Sequence, residues 1–187
     1  MNDIIKKFLR RVQSSFLISY KIRRNLLSWG GGISVGSNTH VKSDCYFEGN
    51  YICIGNDVFI NHKCSFYSYN DKSSNISIGN NVTVAMGVTF CTHTHRIGYS
   101  NRRAEIGTVS RPITVGEGTW IGANALILPG INIGKGSIIA AGAVVTENCK
   151  DNCLYAGVPA KKINSLNSAS VKSCTFLLFS MNLYSPD

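Results

Sequence analysis

Four histidines are the side chains of this 187-residue sequence best suited to acid–base chemistry: His40, His62, His93 and His95. The last two share the segment CTHTHRIG, which begins at Cys91. Imidazole gains and loses a proton near neutral pH, so it is a common general base in enzymes that work there. We therefore treat His93 and His95 as the catalytic candidates, and His40 and His62 as structural histidines.

A thiol nucleophile at Cys91 and a zinc site built from Cys91, His93 and His95 are weaker hypotheses. Cys91 follows Phe90 at a turn position, where packing accounts for it, and the zinc set has no convincing fourth ligand. The seven cysteines include no CxxC pair and are odd in number. This pattern indicates free thiols in a reducing cytoplasm and no metal site.

A six-residue period organises most of the sequence and must position these histidines. One aliphatic or aromatic residue recurs at each step, often with Gly directly after it and a small or β-branched residue four positions on. The recurring positions are Val35, Val41, Phe47, Ile54, Ile60, Ile78, Val84, Phe90, Val115, Ile121, Ile127, Ile133, Ile139 and Val145. A β-sandwich has no reason to keep one residue class at such a fixed interval.

Six residues suffice for one short strand and one turn, and three such units make an 18-residue coil that stacks on the next coil. The period restarts at positions 35, 54, 78, 115 and 133, which are 19, 24, 37 and 18 residues apart. The excess residues predict insertions near 69–75 and 93–112. His93 and His95 therefore stand where the repeat gives way to the longer insertion.

The sequence from Arg111 to Ile163 (RPITVGEGTWIGANALILPGINIGKGSIIAAGAVVTENCKDNCLYAGVPAKKI) resembles the hexapeptide acyltransferases. The similarity is greatest to the galactoside and maltose O-acetyltransferases and their relatives in capsule and O-antigen gene clusters, and it covers about residues 33–163. The resemblance implies an all-β fold, a left-handed parallel β-helix of about five coils with an extruded loop. It also implies homotrimers with active sites between subunits.

The resemblance assigns the catalytic base to His95. A histidine about two dozen residues before the Trp of the WIG phrase has this role in the family, and His95 stands 25 residues before Trp120 and follows a Thr, as there. The implied reaction is direct transfer of an acetyl group from acetyl-CoA to an acceptor hydroxyl, with no covalent acyl-enzyme and no metal.

The same resemblance places the coenzyme A contacts. The implied contact residues are Trp120, Ala123, Ala141 and Thr146. The family has a basic residue directly after that Thr, whereas this sequence has Glu147, which weakens a phosphate site there. Lys161 and Lys162 are the alternative partners for the nucleotide phosphates, and the alternative for Trp120 is simple core packing.

The acceptor side of the site is assigned to Asn61, Asp71 and His93. Asn61 matches a family phrase in which Asn contacts the sugar, and Asp71 lies in the YNDKSSN insertion, where a turn-forming role is the alternative. Four arginines of the long insertion are candidates for reading an acidic acceptor, although an exposed charged loop is often only solvated. They are Arg96, Arg102, Arg103 and Arg111.

The ends of the chain divide from the repeat as residues 1–32, a short amphipathic N-terminal helix, and 164–187, a tail with no family counterpart. Five apolar residues fall on one helical face with Lys and Arg opposite, and Gly30–Gly32 should end this helix. They are Ile5, Phe8, Leu9, Val12 and Phe16. This face would cap the open end of the β-helix, or residues 4–27 would lie on an anionic membrane surface.

Charge and hydropathy narrow the function classes. The net charge of +9 is concentrated in residues 1–30, in the insertion and near the C-terminus, so we expect no nucleic-acid partner. No apolar run is long enough to span a membrane, and lysines interrupt the apolar start, which argues against a signal peptide.

We expect a cytoplasmic acetyl-CoA-dependent sugar O-acetyltransferase of surface polysaccharide synthesis, with attachment to the inner membrane face as the alternative location. The alternative functions are an amino-sugar or antibiotic acetyltransferase and a non-catalytic β-helix scaffold.

Overall fold

The computed structural model of the chain describes residues 3–29, 33–69 and 71–166. Two helices come first, α1 (Asp3–Ser14) and α2 (Tyr20–Trp29), where the sequence predicted one. The segment between them interrupts the helix because Ser19 caps α2: the Ser19 hydroxyl oxygen accepts a hydrogen bond from the Ile22 N–H at 3.5 Å. The predicted break at 30–32 and the tail from residue 167 lie outside the described residues.

Short strands form three parallel walls around one core. The first wall contains β1 (Ile33–Val35), β4 (Ile52–Ile54), β7 (Ile76–Ile78), β12 (Ile113–Val115) and β15 (Asn132–Ile133). The second contains β2 (His40–Val41), β5 (Phe59–Ile60), β8 (Thr83–Val84), β13 (Trp120–Ile121), β16 (Ile138–Ile139), β18 (Cys153–Ala156) and the antiparallel β19 (Lys161–Ser165). The third contains β3 (Tyr46–Glu48), β6 (Ser65–Tyr67), β9 (Thr89–Cys91), β14 (Leu126–Ile127) and β17 (Val144–Val145).

The strand register confirms the six-residue period. Val35 pairs with Ile54, which pairs with Ile78. Ile78 pairs with Val115, and Val115 with Ile133. The residues at which the repeat restarts therefore lie in one ladder along the first wall, as a stack of coils requires.

The ladders fill a narrow core with like side chains. Phe66 is fully buried in the third wall and stacks between Phe47 and Phe90, with ring centroids 4.7 and 4.8 Å apart. Most of the small or β-branched residues four positions after the recurring residue are also buried. Thr94 is the exception and is exposed, because the chain has already left the coil there.

The three walls form a triangular prism. Both predicted insertions leave it at the corner between the third and first walls, which we call the third corner. The shorter one includes a 3-10 helix at Lys72–Ser74. The longer one begins and ends with an antiparallel pair, β10 (His93–Thr94) and β11 (Val109–Ser110). The corner between the second and third walls, the second corner, carries no insertion in the described coils.

The two helices cap the first coil, mainly through polar groups. Leu27 of α2 joins the core, and the buried guanidinium of Arg23 donates hydrogen bonds at 2.6 Å to the carbonyl oxygens of Gln13 and Val41. The buried Gln13 side-chain amide donates to the Cys45 carbonyl oxygen at 3.1 Å. The contacts with Val41 and Cys45 satisfy main-chain carbonyls of the first coil that would otherwise lack partners.

The prediction that the apolar face of the N-terminal helix forms the cap was wrong. Ile5, Phe8 and Phe16 are exposed, while Leu9 and Val12 are only half-buried. The cap uses the neighbouring face of α1 instead, because the end of the β-helix offers carbonyl acceptors as well as apolar surface. Neither described helix is long and apolar enough to cross a membrane.

Candidate active site

His95 lies at the third corner, directly after β10, with an exposed side chain. Its ring Nδ1 is 2.8 Å from the carbonyl oxygen of Gly107 and 3.0 Å from that of Glu105. Carbonyl oxygens can only accept hydrogen bonds, so Nδ1 must carry the proton in this arrangement. The lone pair of the neutral ring is then on Nε2, which is the form that a general base needs.

The long insertion that holds His95 is a two-stranded ribbon. His93 pairs with Ser110, and an isolated bridge joins Ile97 to Ala104 nearer the tip. The returning strand of this ribbon places the Glu105 and Gly107 carbonyls next to the His95 ring. The sequence therefore positions the imidazole by main-chain pairing across the loop.

The loop arginines differ in what they contact. Arg102 donates to the Ala104 carbonyl oxygen at 3.2 Å, and Arg103 donates to that of Gly98 at 3.3 Å, so both stabilise the ribbon itself. Arg96 lines a cavity of about 250 Å³ that Glu105 also lines. Arg96 thus shares a cavity with the His95 partner Glu105, and its role toward an acidic acceptor stays a prediction.

His93 is placed differently from His95. Its side chain is half-buried, its Nδ1 has no hydrogen-bond partner, and its ring lies 5.7 Å from that of Tyr69 in the shorter insertion. The Cys91 thiol donates to the His93 carbonyl oxygen at 3.2 Å, so it is engaged with the main chain. In the described part of the chain, no three His, Cys, Asp or Glu side chains converge as a metal site would require.

Asp71 has the turn-forming role that the sequence left open. Its carboxylate accepts hydrogen bonds from the Ser73 N–H, at 3.0 Å, and from the Ser73 hydroxyl, and so caps the 3-10 helix. These bonds lower the pKa of Asp71 below its usual value. A contact between this fully exposed carboxylate and a sugar stays a prediction.

The second corner collects a separate group of predicted contact residues. Asn61, Ala123 and Ala141 follow β5, β13 and β16 of the second wall, in the second, fourth and fifth coils, and all three are half-buried. The Asn61 side-chain oxygen accepts a hydrogen bond from the His62 N–H at 2.8 Å. Trp120, just before this corner, is 41% exposed, which excludes the core-packing alternative for its ring.

The predicted phosphate contacts lie beyond the last coil. Lys161 forms an ion pair with Glu147 at 3.0 Å, and both side chains are exposed. Glu147 stands where the family has a basic residue. It pairs with Lys161, one of the two lysines predicted to bind the phosphates instead. Lys162 forms no ion pair with any described residue and keeps its charge available. Thr146 is exposed at the third corner.

The two remaining histidines have structural contacts. The His40 ring stacks on Tyr20 of α2 with centroids 4.0 Å apart. The His62 Nδ1 is 2.9 Å from the hydroxyl oxygen of Ser43. Neither is near the long insertion in the fold, which agrees with the structural role predicted for them.

A single chain does not bring all predicted site residues together. His95, His93, Asp71 and Thr146 lie at the third corner, whereas Ala123 and its neighbours lie at the second corner. The third wall separates the two corners by roughly five residues of extended chain, or about 16 Å. The carbonyls of Glu105 and Gly107 that orient His95 could not be predicted from the sequence, because main-chain groups leave no signal in residue type.

The fold and the repeat define the class of protein. Residues 112–147 match the family described as bacterial transferase hexapeptide (six repeats). The chain carries the hexapeptide repeat over these residues and has the left-handed β-helix fold of the hexapeptide-repeat acetyltransferases. Among curated proteins it is similar to the galactoside O-acetyltransferase of Escherichia coli (strain K12), at 35% identity over 136 residues, which cover 72% of this chain and 64% of that protein.

Solved structures agree with this assignment. A galactoside acetyltransferase in complex with coenzyme A has a TM-score of 0.74 at 28% identity, covering 90% of this chain and 82% of that one. A hexapeptide-repeat-containing acetyltransferase of Vibrio cholerae O1 biovar eltor, complexed with acetyl coenzyme A, has a TM-score of 0.69 at 25% identity, covering 88% and 87%. The chain spans between 53% and 64% of the length of the first curated relatives.

Proposed function

We propose that the protein is an acetyl-CoA-dependent O-acetyltransferase that acts on a sugar hydroxyl, with His95 as the general base. The observation that carries this proposal is the orientation of His95: two carbonyl oxygens hold the proton on Nδ1, which leaves Nε2 as the acceptor. A solvent-exposed loop histidine without a function would not require two carbonyl oxygens to orient its ring.

In the proposed reaction, His95 Nε2 takes the proton of the acceptor hydroxyl as that oxygen attacks the thioester carbonyl carbon of acetyl-CoA. A tetrahedral intermediate forms, and the C–S bond then breaks. The proton on Nε2 passes to the leaving coenzyme A thiolate, which restores the neutral imidazole. The carbonyls of Glu105 and Gly107 also favour the transient imidazolium, since they face the N–H that stays in place.

The second corner supplies a suitable surface for the coenzyme. Half-buried alanines at 123 and 141 leave room for the thin pantetheine arm, and Lys162 offers a charge to its phosphates. The main-chain N–H of Ala123 donates to no acceptor among the described residues, so it is available to the oxyanion of the intermediate.

The separation of the two corners supports a homotrimer. A base at the third corner and a coenzyme contact at the second corner of the same chain face different sides of the prism. The third corner of one subunit meets the second corner of its neighbour in a closed ring of three, so each site would be built from two subunits.

The proposed biological process, surface polysaccharide synthesis, rests on the sequence resemblance. The branch that includes relatives from capsule and O-antigen gene clusters leads us to include surface polysaccharide synthesis in the proposal. The free thiols of the described cysteines are in keeping with a reducing cytoplasm, where acetyl-CoA is at hand.

The experiment is acetyl-CoA turnover, followed by thiol release, with separate panels of neutral sugars, amino sugars and aminoglycoside antibiotics. We expect turnover that depends on a sugar bearing only hydroxyl groups. Turnover confined to amino acceptors would replace the proposal by N-acetylation. Absence of coenzyme A binding in calorimetry would leave the scaffold alternative.

A further inference from the structure

The N-terminal helical segment exposes large apolar side chains that are not buried against any other described residues. Phe16, Leu17 and Trp29 are 79%, 78% and 72% exposed. Ile5, Phe8 and Ile22 are also exposed. Single exposed apolar residues are common on protein surfaces, but six in one 25-residue segment are typical of a surface that binds something.

These side chains are not left over from an incomplete cap. The buried contacts of the helices with the first coil are made by Gln13, Arg23 and Leu27. On α1, Ile5 and Phe8 lie one helical turn apart, and the exposed Phe16 follows in the segment between the two helices. The cap and the apolar face are therefore separate features of one segment.

The charge of this segment indicates what covers it. Residues 1–30 contain seven Lys and Arg and one Asp. Arg23 is used inside the cap, whereas Arg11 and Lys21 are exposed at the surface. Phe, Leu and Trp interleaved with Lys and Arg are the composition of helices that lie in the interface of an anionic bilayer.

Two other occupants fit the charge less well. A second copy of the chain would bring one basic surface against another, which is unfavourable. The tail at 167–187 contains one Lys and one Asp, so it has no excess acidic charge to offer.

We propose that residues 3–29 dock the protein on an anionic lipid surface. The exposed apolar side chains enter the interfacial layer, and the surrounding Lys and Arg contact the headgroups. The helices sit on the first coil and His95 leaves the third, so docking would hold the catalytic corner two strand spacings, about 10 Å, from the docked end.

The test is co-sedimentation of the full chain with vesicles of phosphatidylcholine, alone or with about one third phosphatidylglycerol. We expect binding to the anionic vesicles only, and weaker binding as salt rises. Phe16→Ser combined with Trp29→Ser should weaken it by about tenfold or more per side chain. Lys21→Ser should weaken it about fivefold.

The matched control is Val158→Ser combined with Ile163→Ser, which removes two exposed apolar side chains at the other end of the fold and should leave binding unchanged. Thermal melts of both double variants check that the fold is kept. Equal binding to both vesicle types, or no binding, would overturn the proposal.

Two further results would assign the surface to another occupant. Loss of oligomers in the Phe16/Trp29 variant without loss of vesicle binding would assign it to a second copy. Vesicle binding that appears only after removal of residues 167–187 would assign it to the tail.

Discussion

Two inactive variants of this protein should complement each other when they assemble in one trimer. His95→Ala removes the base at the third corner, and Ala123→Trp blocks the coenzyme surface at the second corner, and we expect each variant alone to be nearly inactive. A site that takes its base from one subunit and its coenzyme contact from the next is intact wherever an Ala123→Trp subunit supplies His95 to a His95→Ala neighbour. Random mixing at equal amounts makes about one quarter of the sites intact.

The assay is co-expression of the two variants with different affinity tags, purification through both tags, and thiol release from acetyl-CoA. We expect about one quarter of the wild-type rate, somewhat more after selection of mixed trimers. His95→Ala co-expressed with His95→Asn is the control and should show no recovery, because both variants lack the same group. Activity of the mixed trimers no higher than that of the separate variants would refute the shared site.

Three further predictions concern stability, thiol chemistry and the coenzyme. Phe66→Ala removes the middle ring of the buried stack and should lower the free energy of unfolding by about 4 kcal/mol, measured by urea denaturation. Burial raises the pKa of Cys149 to about 12, so its thiol stays protonated at pH 8 and should react with iodoacetamide only after unfolding, unlike the exposed Cys53; peptide mapping distinguishes them. Lys162→Ala should raise the KM for acetyl-CoA about fivefold, the equivalent of ~1 kcal/mol for an exposed charge, and Lys161→Ala should raise it less because of the Glu147 ion pair.

Much of the fold could be predicted because the repeat gives one core residue to each unit. Val35 and Ile54 mark the starts of successive coils in the sequence, and the structure pairs them directly. The two insertions were placed by the same spacing. The position of His95 beside the longer one followed from that count together with the family resemblance.

The parts that could not be predicted depend on main-chain groups. The carbonyls of Glu105 and Gly107 fix the His95 tautomer, and any residue type would present a carbonyl there. The cap was predicted from apolar periodicity, but Arg23 and Gln13 form it, because the first coil ends in unpaired carbonyl oxygens such as that of Val41. Hydropathy alone contains no information about those acceptors.

The central claim is that His95 is the base of an acetyl transfer. The most direct measurement is kcat for acetyl transfer by His95→Ala against wild type, with the dissociation constant of coenzyme A measured in parallel and His93→Ala as the matched control. We predict a fall in kcat of about 10²- to 10⁴-fold with coenzyme binding within a factor of about two, and a much smaller fall for His93→Ala. A His95→Ala variant that keeps wild-type kcat would contradict the account.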